Sequence, residues 1–192
     1  MNKINLAKNN FSNDVMSIIK EEQFKSESVK SIAKKMILAA RTAPKARGRD
    51  YVSLAMADGN ELQVIADKMK EIGKRKGQQF FERDAGNVLQ SEVLVMMGTS
   101  IRSLELDCSM CGYKDCAEKD KHPDIPCVFN TGDLGIAMGS AVSVAMDHRI
   151  DNRILYSAGQ AIMELELLGK DTRIAYGVPL SALSKNIFFD RK

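Results

Sequence analysis

The stretch LGIAMGSAVSVAM, residues 134–146, decides the fold of this chain. Small and apolar residues occupy nearly every face of the helix that it predicts, among them Gly135, Gly139 and Ala141. A helix that is apolar all round is buried inside a domain, and its small residues let another backbone approach closely. We therefore expect a buried helix with other elements packed tightly against it.

The patterns on both sides of this helix predict a mixture of helices and strands. Helical spacing of apolar residues predicts three further helices, over residues 29–40, 62–72 and 153–168. Strand character marks residues 51–57, 93–97 and 172–178, with Pro179 expected to end the last strand. A short N-terminal helix capped by Ser12 is also expected. Because no internal repeat or low-complexity linker interrupts the chain, we expect a single α+β domain over residues 1–192.

Composition excludes several classes of protein. The chain has 192 residues, a hydrophobic fraction of 44%, a charged fraction of 28% and a net charge of +3. No apolar run approaches the roughly 20 residues that span a bilayer, and the N-terminus lacks a signal-peptide segment. The small net charge and the absence of tryptophan argue against nucleic-acid binding. We therefore expect a cytoplasmic protein without membrane or nucleic-acid partners.

All four cysteines lie in one polar segment, residues 107–130, with the spacing Cys108-x2-Cys111-x4-Cys116-x10-Cys127. In a reducing cytosol such clustering favours a metal centre over disulfides. Four thiolates are the ligands of both iron–sulfur clusters and structural zinc. Zinc ligands usually come as two close pairs, whereas here one close pair is followed by two widely spaced cysteines. The spacing therefore favours a cluster of the 4Fe–4S type, with zinc as the alternative.

Other residues of this segment carry weaker signals. Gly112 lets the backbone bend closely around a metal centre. His122 could replace a ligand, although a loop histidine beside a proline is more often solvent-exposed. Met110 and Tyr113 are expected to shield the centre from water, which would shift its reduction potential.

The cysteine run also resembles known iron–sulfur sequences. The CxxCGxxxC pattern of residues 108–116 is similar to the start of the small four-iron domain of electron-transfer and corrinoid iron–sulfur proteins, although the final gap of ten residues is shorter. Together with residues 39–46, 133–147, 151–154, 177–181 and 185–191, it resembles an uncharacterised prokaryotic family described as containing a ferredoxin domain. That resemblance implies cluster binding but no known activity.

A more distant resemblance is to flavin-dependent nitroreductases. Residues 39–49 are similar to their A-x-x-A-P-S-x-x-N loop, and residues 176–179 to their last core strand. The resemblance implies an α+β fold with a mixed sheet flanked by helices, a homodimer, and FMN at the dimer interface. It assigns flavin contacts to four basic residues: Arg41, Lys45, Arg47 and Lys185. Lys45 stands where the nitroreductase pattern has serine, and the alternative for the loop is a solvated basic segment.

These observations predict an iron–sulfur redox protein, either a flavin-linked oxidoreductase similar to nitroreductases or an electron-transfer protein, and leave open whether it is an enzyme. They name no substrate or redox partner. The alternative is a non-enzymatic interaction protein that a cluster or zinc ion stabilises. Asp147 and His148 are either an acid–base pair or, more simply, part of a corner between helices with Asp151 or Asn152 capping the next helix.

Overall fold

The structure, a computed structural model, describes residues 18–189, and within them four strands form one sheet in the order β1-β2-β4-β3. The strands are β1 (Val52–Ala57), β2 (Val93–Thr99), β3 (Asp151–Asn152) and β4 (Ile174–Ser181). The predicted α+β architecture is confirmed, and each pairing in this part of the chain is antiparallel where a mixed sheet was expected. Most of the helix expected after Ser12 lies outside the described residues, and its last two predicted residues, Ile18 and Ile19, are not helical.

Helices cover both faces of this sheet. The helices are α1 (Lys25–Thr42), α2 (Asn60–Lys76), α3 (Phe80–Leu89), α4 (Cys116–Asp120), α5 (Val128–Asp147) and α6 (Tyr156–Glu164). Helices α1 and α5 pack on one face, and α2, α3 and α6 pack on the other. Of the helices in residues 18–189, none combines the length and the apolar character that crossing a bilayer requires.

Strand β2 shows why the sequence 93–97 is continuously apolar. All of its residues are buried, because successive side chains point to opposite faces and both faces are covered. Val95 and Met97 pack with α1 and α5, whereas Leu94 and Met96 pack with α2, α3 and α6. The prediction of a buried strand is therefore confirmed.

The region around the last two strands differs from its prediction. The helix expected over 153–168 spans only Tyr156–Glu164, because Leu155 before it pairs with Gly177 of β4 and Glu166 after it has a positive φ of 54°. Residues 151–152 also pair with β4 and so belong to the sheet. Asp151 and Asn152 are thus strand residues, and the prediction that either caps the next helix is wrong. Pro179 lies within β4, just beyond the residues that pair with the two-residue strand β3. A proline is tolerated where a strand lacks a neighbour on one side.

Helix α6 lies unusually close to β4. The Cα hydrogen of Gly159 faces the backbone of Ala175, and an added Cβ would overlap the carbonyl of that residue. On the strand side, a Cβ at Gly177 would lie 2.6 Å from the Cβ of Ala158. Two glycines therefore set the distance between this helix and the sheet.

Gly159→Ala should lower the free energy of unfolding by at least about 3 kcal/mol, because the helix must move away from a well-packed strand. The matched control is Gly86→Ala in α3, where an added Cβ meets nothing within 4 Å. That change should raise stability by about 0.5–1 kcal/mol through helix propensity. Urea denaturation of both variants measures the difference, and equal stabilities would contradict the packing argument.

Candidate metal centre and the adjoining basic loop

Three segments meet at one end of the sheet. The register pairs Val52 at the start of β1 with Thr99 at the end of β2. The loop before β1 (residues 43–51, here the basic loop) therefore lies beside the segment after β2 (residues 100–127, here the cysteine segment). Helix α5 begins directly after Cys127 and so starts in the same region. The fold thus brings together two of the predicted sites, which are about 60 residues apart in sequence.

The first two predicted flavin contacts are engaged with the protein itself. Arg41, in the last turn of α1, donates to the Asp50 carboxylate and to the carbonyl oxygen of Val52. Lys45 donates to the carbonyl oxygens of Ala40 and Arg41, both at 2.7 Å. Its side chain is only 5% exposed, and it satisfies carbonyls that the end of a helix leaves without partners. The Arg41 side chain remains 47% exposed.

The contacts of Asp50 lower the pKa of its carboxyl group. Burial by itself would raise the pKa of the carboxyl group, but a hydrogen bond from the Val52 amide and the charges of Arg41 and Lys45 outweigh burial and lower it. A carboxyl group whose pKa is lowered on folding stabilises the fold above its unfolded pKa. This stabilisation is lost as the pH falls through the folded value.

Arg47 joins the basic loop to the cysteine segment. It adopts a left-handed backbone conformation, with φ of 56°, which turns its side chain toward residues 104 and 105. Its guanidinium donates to the carbonyl oxygens of Leu104 at 2.7 Å and Glu105 at 3.2 Å. Arg49 adds a salt bridge to the Glu105 carboxylate at 3.0 Å, and this bond and charge raise the pKa of Arg49. The two segments are therefore held together just before Cys108.

Asp133 holds the other side of the basic loop. It lies in the second turn of α5, is 7% exposed, and accepts the amide of Ala46 through both carboxylate oxygens at 3.1 and 3.2 Å. A buried carboxylate is tolerated where donors satisfy it. The basic loop is therefore fixed between α5 and the cysteine segment.

The four cysteines line one small cavity. Cys127 is buried, Cys111 and Cys116 are partly buried, and Cys108 is exposed at the mouth. The remaining walls come from both ends of the cysteine segment and from the first residues of α5. Four thiols that are up to 19 positions apart in sequence thus face a common space.

The backbone winds around this cavity in strained conformations. Glu105, Asp107 and Ser109 all have positive φ, at 54°, 46° and 57°, and Gly112 follows at 88°. Non-glycine residues seldom adopt this region, and backbone of alternating handedness is the conformation in which neighbouring amides form a nest. One such amide, that of Asp107, donates to the Sγ of Cys116 at 3.4 Å, while the Asp107 carboxylate accepts the Cys116 amide at 2.9 Å. Nests of this kind occur around iron–sulfur clusters.

The cavity therefore offers four thiols and one amide hydrogen bond to sulfur, which are donor types found around thiolate-bound clusters. Within residues 18–189, no group of three or more His, Cys, Asp or Glu side chains is arranged to hold a metal ion. In a four-iron cluster each iron takes its own thiolate, so the cysteines surround a volume. The number and the chemical type of the cysteine ligands at this site fit such a group.

The other predicted residues lie elsewhere. Lys185 follows β4 at the end of the sheet where Val93 pairs with Leu180, opposite to the basic loop. Asp147 and His148 are exposed at the far end of α5, a helix of 20 residues and thus about 30 Å from its start. Within one chain, these three residues are therefore distant from the cysteines.

The two shielding residues proposed from sequence do not line the cysteine cavity. The side chain of Met110 is 65% exposed. Tyr113 stacks on His122, with ring centroids 5.0 Å apart. Both rings belong to the outer surface of the segment.

A larger open cavity of about 650 Å³ lies beside the basic loop. Asp50 and Tyr51 form one wall, and Arg102 and residues 168–172 form the other. It contains none of the predicted flavin contacts and none of the cysteines. Sequence patterns gave no indication of it, because its walls come from three separate connections.

Sequence reasoning also missed Asp133. Its signal was available, since a carboxylate within an otherwise apolar helix is expected to have a dedicated partner. What the sequence could not supply was the partner, an amide 87 positions earlier.

Comparison with solved structures identifies the fold. The chain is similar to an FMN and NADPH-dependent nitroreductase from sphigopyxis sp. strain HMH, with a TM-score of 0.56, 10% identity, and coverage of 82% of this chain and 81% of that one. It is also similar to a BluB-like flavoprotein from Clostridium difficile 630, with a TM-score of 0.53, 18% identity, and coverage of 92% and 87%. Some similar structures are larger: the chain spans 59% of a hypothetical oxidoreductase from Bacillus subtilis, at 16% identity, 82% coverage of this chain and a TM-score of 0.51. The nitroreductase-like fold expected from the sequence is confirmed.

Sequence comparison identifies the family. Residues 124–191 match the family described as uncharacterized protein containing a ferredoxin domain. An uncharacterized protein from Archaeoglobus fulgidus is 39% identical over 184 residues, covering 91% of this chain and 97% of the relative. This chain therefore belongs to the family of uncharacterised proteins that contain a ferredoxin domain.

Proposed function

We propose that this chain is a cytoplasmic, homodimeric redox protein that binds an iron–sulfur cluster through Cys108, Cys111, Cys116 and Cys127 and exchanges electrons with a flavin. The observation that carries the proposal is that all four cysteines line one cavity. The amide of Asp107, directed at the Cys116 sulfur, supports it further, because such hydrogen bonds stabilise sulfur-bound negative charge.

When bound, the cluster supplies one-electron transfer, and the flavin exchanges electrons singly or in pairs. The chain's own residues hold and position these groups. The cysteines present thiolates from the two ends of the segment, and the strained backbone beside Cys108 directs the Asp107 amide at the Cys116 sulfur. Cys127, at the start of α5, anchors the cavity to the buried core.

The flavin part of the proposal is supported by the fold and by the basic loop. The similar nitroreductase is described as FMN-dependent, and the BluB-like protein as a flavoprotein. The side chains of Arg41 and Arg47 remain 47% and 40% exposed, and their guanidinium donors are suited to a phosphate. Lys45, which caps α1, contributes positive charge close to them.

Proximity supports electron exchange between the two sites. Arg47 contacts the carbonyl of Leu104, which is four residues before Cys108. Four residues span at most about 14 Å of extended chain. A flavin on the basic loop would therefore lie near the cluster.

The homodimer is supported by the outer face of α5. The sequence predicted a helix that is buried all round, but in one chain Gly135, Ile136, Gly139 and Met146 are exposed on one side. An added Cβ at either glycine would meet nothing within 4 Å. An apolar face with small residues is suited to close packing against the same helix of a second copy. A second copy would also supply its Lys185 from the opposite end of its own sheet.

The metal prediction is direct. Protein purified without oxygen should be brown, should absorb broadly in the visible range, and should contain about four irons per chain. Cys108→Ser and Cys127→Ser should each lose most of the iron. Met110→Leu is the matched control, since Met110 is in the same segment but outside the cavity. Colourless protein with stoichiometric zinc would contradict the redox proposal and favour a zinc-stabilised interaction protein.

The flavin prediction concerns Arg41. Wild-type protein should bind FMN, and Arg41→Met should weaken binding at least about tenfold, because a charge-assisted hydrogen bond contributes about 1.5–3 kcal/mol. Lys34→Met, an exposed residue of the same helix with its side chain 62% exposed, should leave the dissociation constant unchanged. Fluorescence titration with FMN measures both. Wild-type protein that binds no FMN would remove the flavin from the proposal.

The dimer prediction concerns Ile136, which is 49% exposed. Ile136→Glu should convert a dimer to a monomer in light scattering, because it introduces two charges into an apolar interface. Val64→Glu on α2, at a residue that is 56% exposed on another face, should leave the mass unchanged. A monomeric wild-type protein would show that this face has another role.

A further inference from the structure

Two residues that line the cysteine cavity carry buried polar groups whose contacts within the fold do not compensate their burial. The first is the hydroxyl of Ser103, which lies on the cavity wall. Its oxygen is buried and has no hydrogen-bond partner in the structure. A buried hydroxyl without a partner costs about 1–3 kcal/mol, so such groups are rare and usually serve a ligand.

The second group is the ammonium of Lys119, a residue that lines the same cavity. Lysine is almost never fully buried, yet this residue is 2% exposed. Its ion pair within residues 18–189 is with Asp120 at 3.3 Å, and the Asp120 side chain is 52% exposed. A buried cation needs more compensation than one solvated carboxylate provides, and the four thiolates of the cavity can supply it.

We propose that Ser103 and Lys119 set the reduction potential of the cluster from inside the cavity, with the hydroxyl donating a hydrogen bond to a cluster sulfur and the ammonium compensating its negative charge. This inference rests on the proposed cluster. Neither residue is a ligand of the cluster irons.

The direction of the effect follows from charge. Reduction adds one electron to the cluster; no bond breaks and no proton needs to move. The added negative charge is spread over the cluster sulfurs and the thiolates. A hydrogen bond to sulfur and a nearby cation both stabilise the more negative state, so both raise the potential.

Two serines of the cysteine segment, Ser103 and Ser109, allow the role of the Ser103 hydroxyl to be tested against a matched control. Ser109 lines the same cavity, but its hydroxyl already donates to the carbonyl oxygen of Lys114 at 2.8 Å. Ser103→Ala should lower the equilibrium constant for reduction about tenfold, or about 59 mV for a one-electron couple. Ser109→Ala should change it much less, and Ser103→Thr should retain the wild-type value.

Two lysines of the same segment, Lys119 and Lys121, allow the role of the buried charge to be tested in the same way. Lys119→Met removes the buried charge and keeps an unbranched apolar stem, and it should lower the potential by a similar or larger factor. Lys121→Met removes a charge that is exposed to solvent and should have a small effect, because water screens it. Lys119→Arg should preserve most of the potential.

The experiment is an anaerobic dithionite titration of each full-length, cluster-loaded variant, followed by electron paramagnetic resonance, with iron content measured on the same samples. Lower potentials for Ser103→Ala and Lys119→Met, at unchanged iron content, support the inference. Equal potentials in all variants that hold iron overturn it and leave the proposed cluster intact. If Ser103→Ala fails to hold iron, the comparison of Lys119→Met with Lys121→Met decides whether the inference holds. Wild-type protein without iron overturns the inference and the proposed cluster together.

Discussion

The basic loop is held by a buried carboxylate on one side and a guanidinium on the other, and the arrangement of both candidate sites depends on that attachment. Asp133 accepts a hydrogen bond from the amide of Ala46 through both carboxylate oxygens. Arg47 donates hydrogen bonds to two carbonyl oxygens of the cysteine segment. Asp133 is almost completely removed from water, so leaving it without its donor would expose the protein to the cost of an unsatisfied buried charge. This penalty fixes the loop against α5, and Arg47 then fixes residues 104 and 105 against the loop.

The sheet explains why these contacts form at one place. Antiparallel pairing of β1 with β2 brings the residue before one strand to the residue after the other. Helix α5 returns from the cysteine segment across the face of the sheet and packs on α1. The hydroxyl of Ser140 donates to the carbonyl of Ala39 at 3.0 Å, which links the two helices close to the basic loop. The position of the loop is therefore supported by the hydrophobic core as well as by its own hydrogen bonds.

The comparison of sequence and structure is most informative for α5. Its apolar composition predicted burial on all sides, and the side facing the sheet is buried as expected. Its other side is exposed in one chain, although its residues are just as small and apolar. Apolar composition indicates that a surface is buried, but it does not distinguish contact within a chain from contact between chains. Similarly, a loop within residues 39–49 was recognised from its residues, but local patterns could not show that Lys45 turns back to cap α1, since that depends on where the preceding helix ends.

What the sequence determined by itself was local. It specified the helices over residues 29–40 and 62–72, the buried strand at 93–97, the clustering of four cysteines and the resemblance to the ferredoxin-domain family, because periodicity, spacing and motifs are properties of neighbouring residues. Only the tertiary structure decided that the four cysteines line one cavity, that Ser103 and Lys119 share it, and that the basic loop adjoins it while Lys185 does not. These relations depend on contacts between residues far apart in sequence, such as Ala46 and Asp133, which are 87 positions apart. They follow from strand register and two-sided burial, which no local pattern contains.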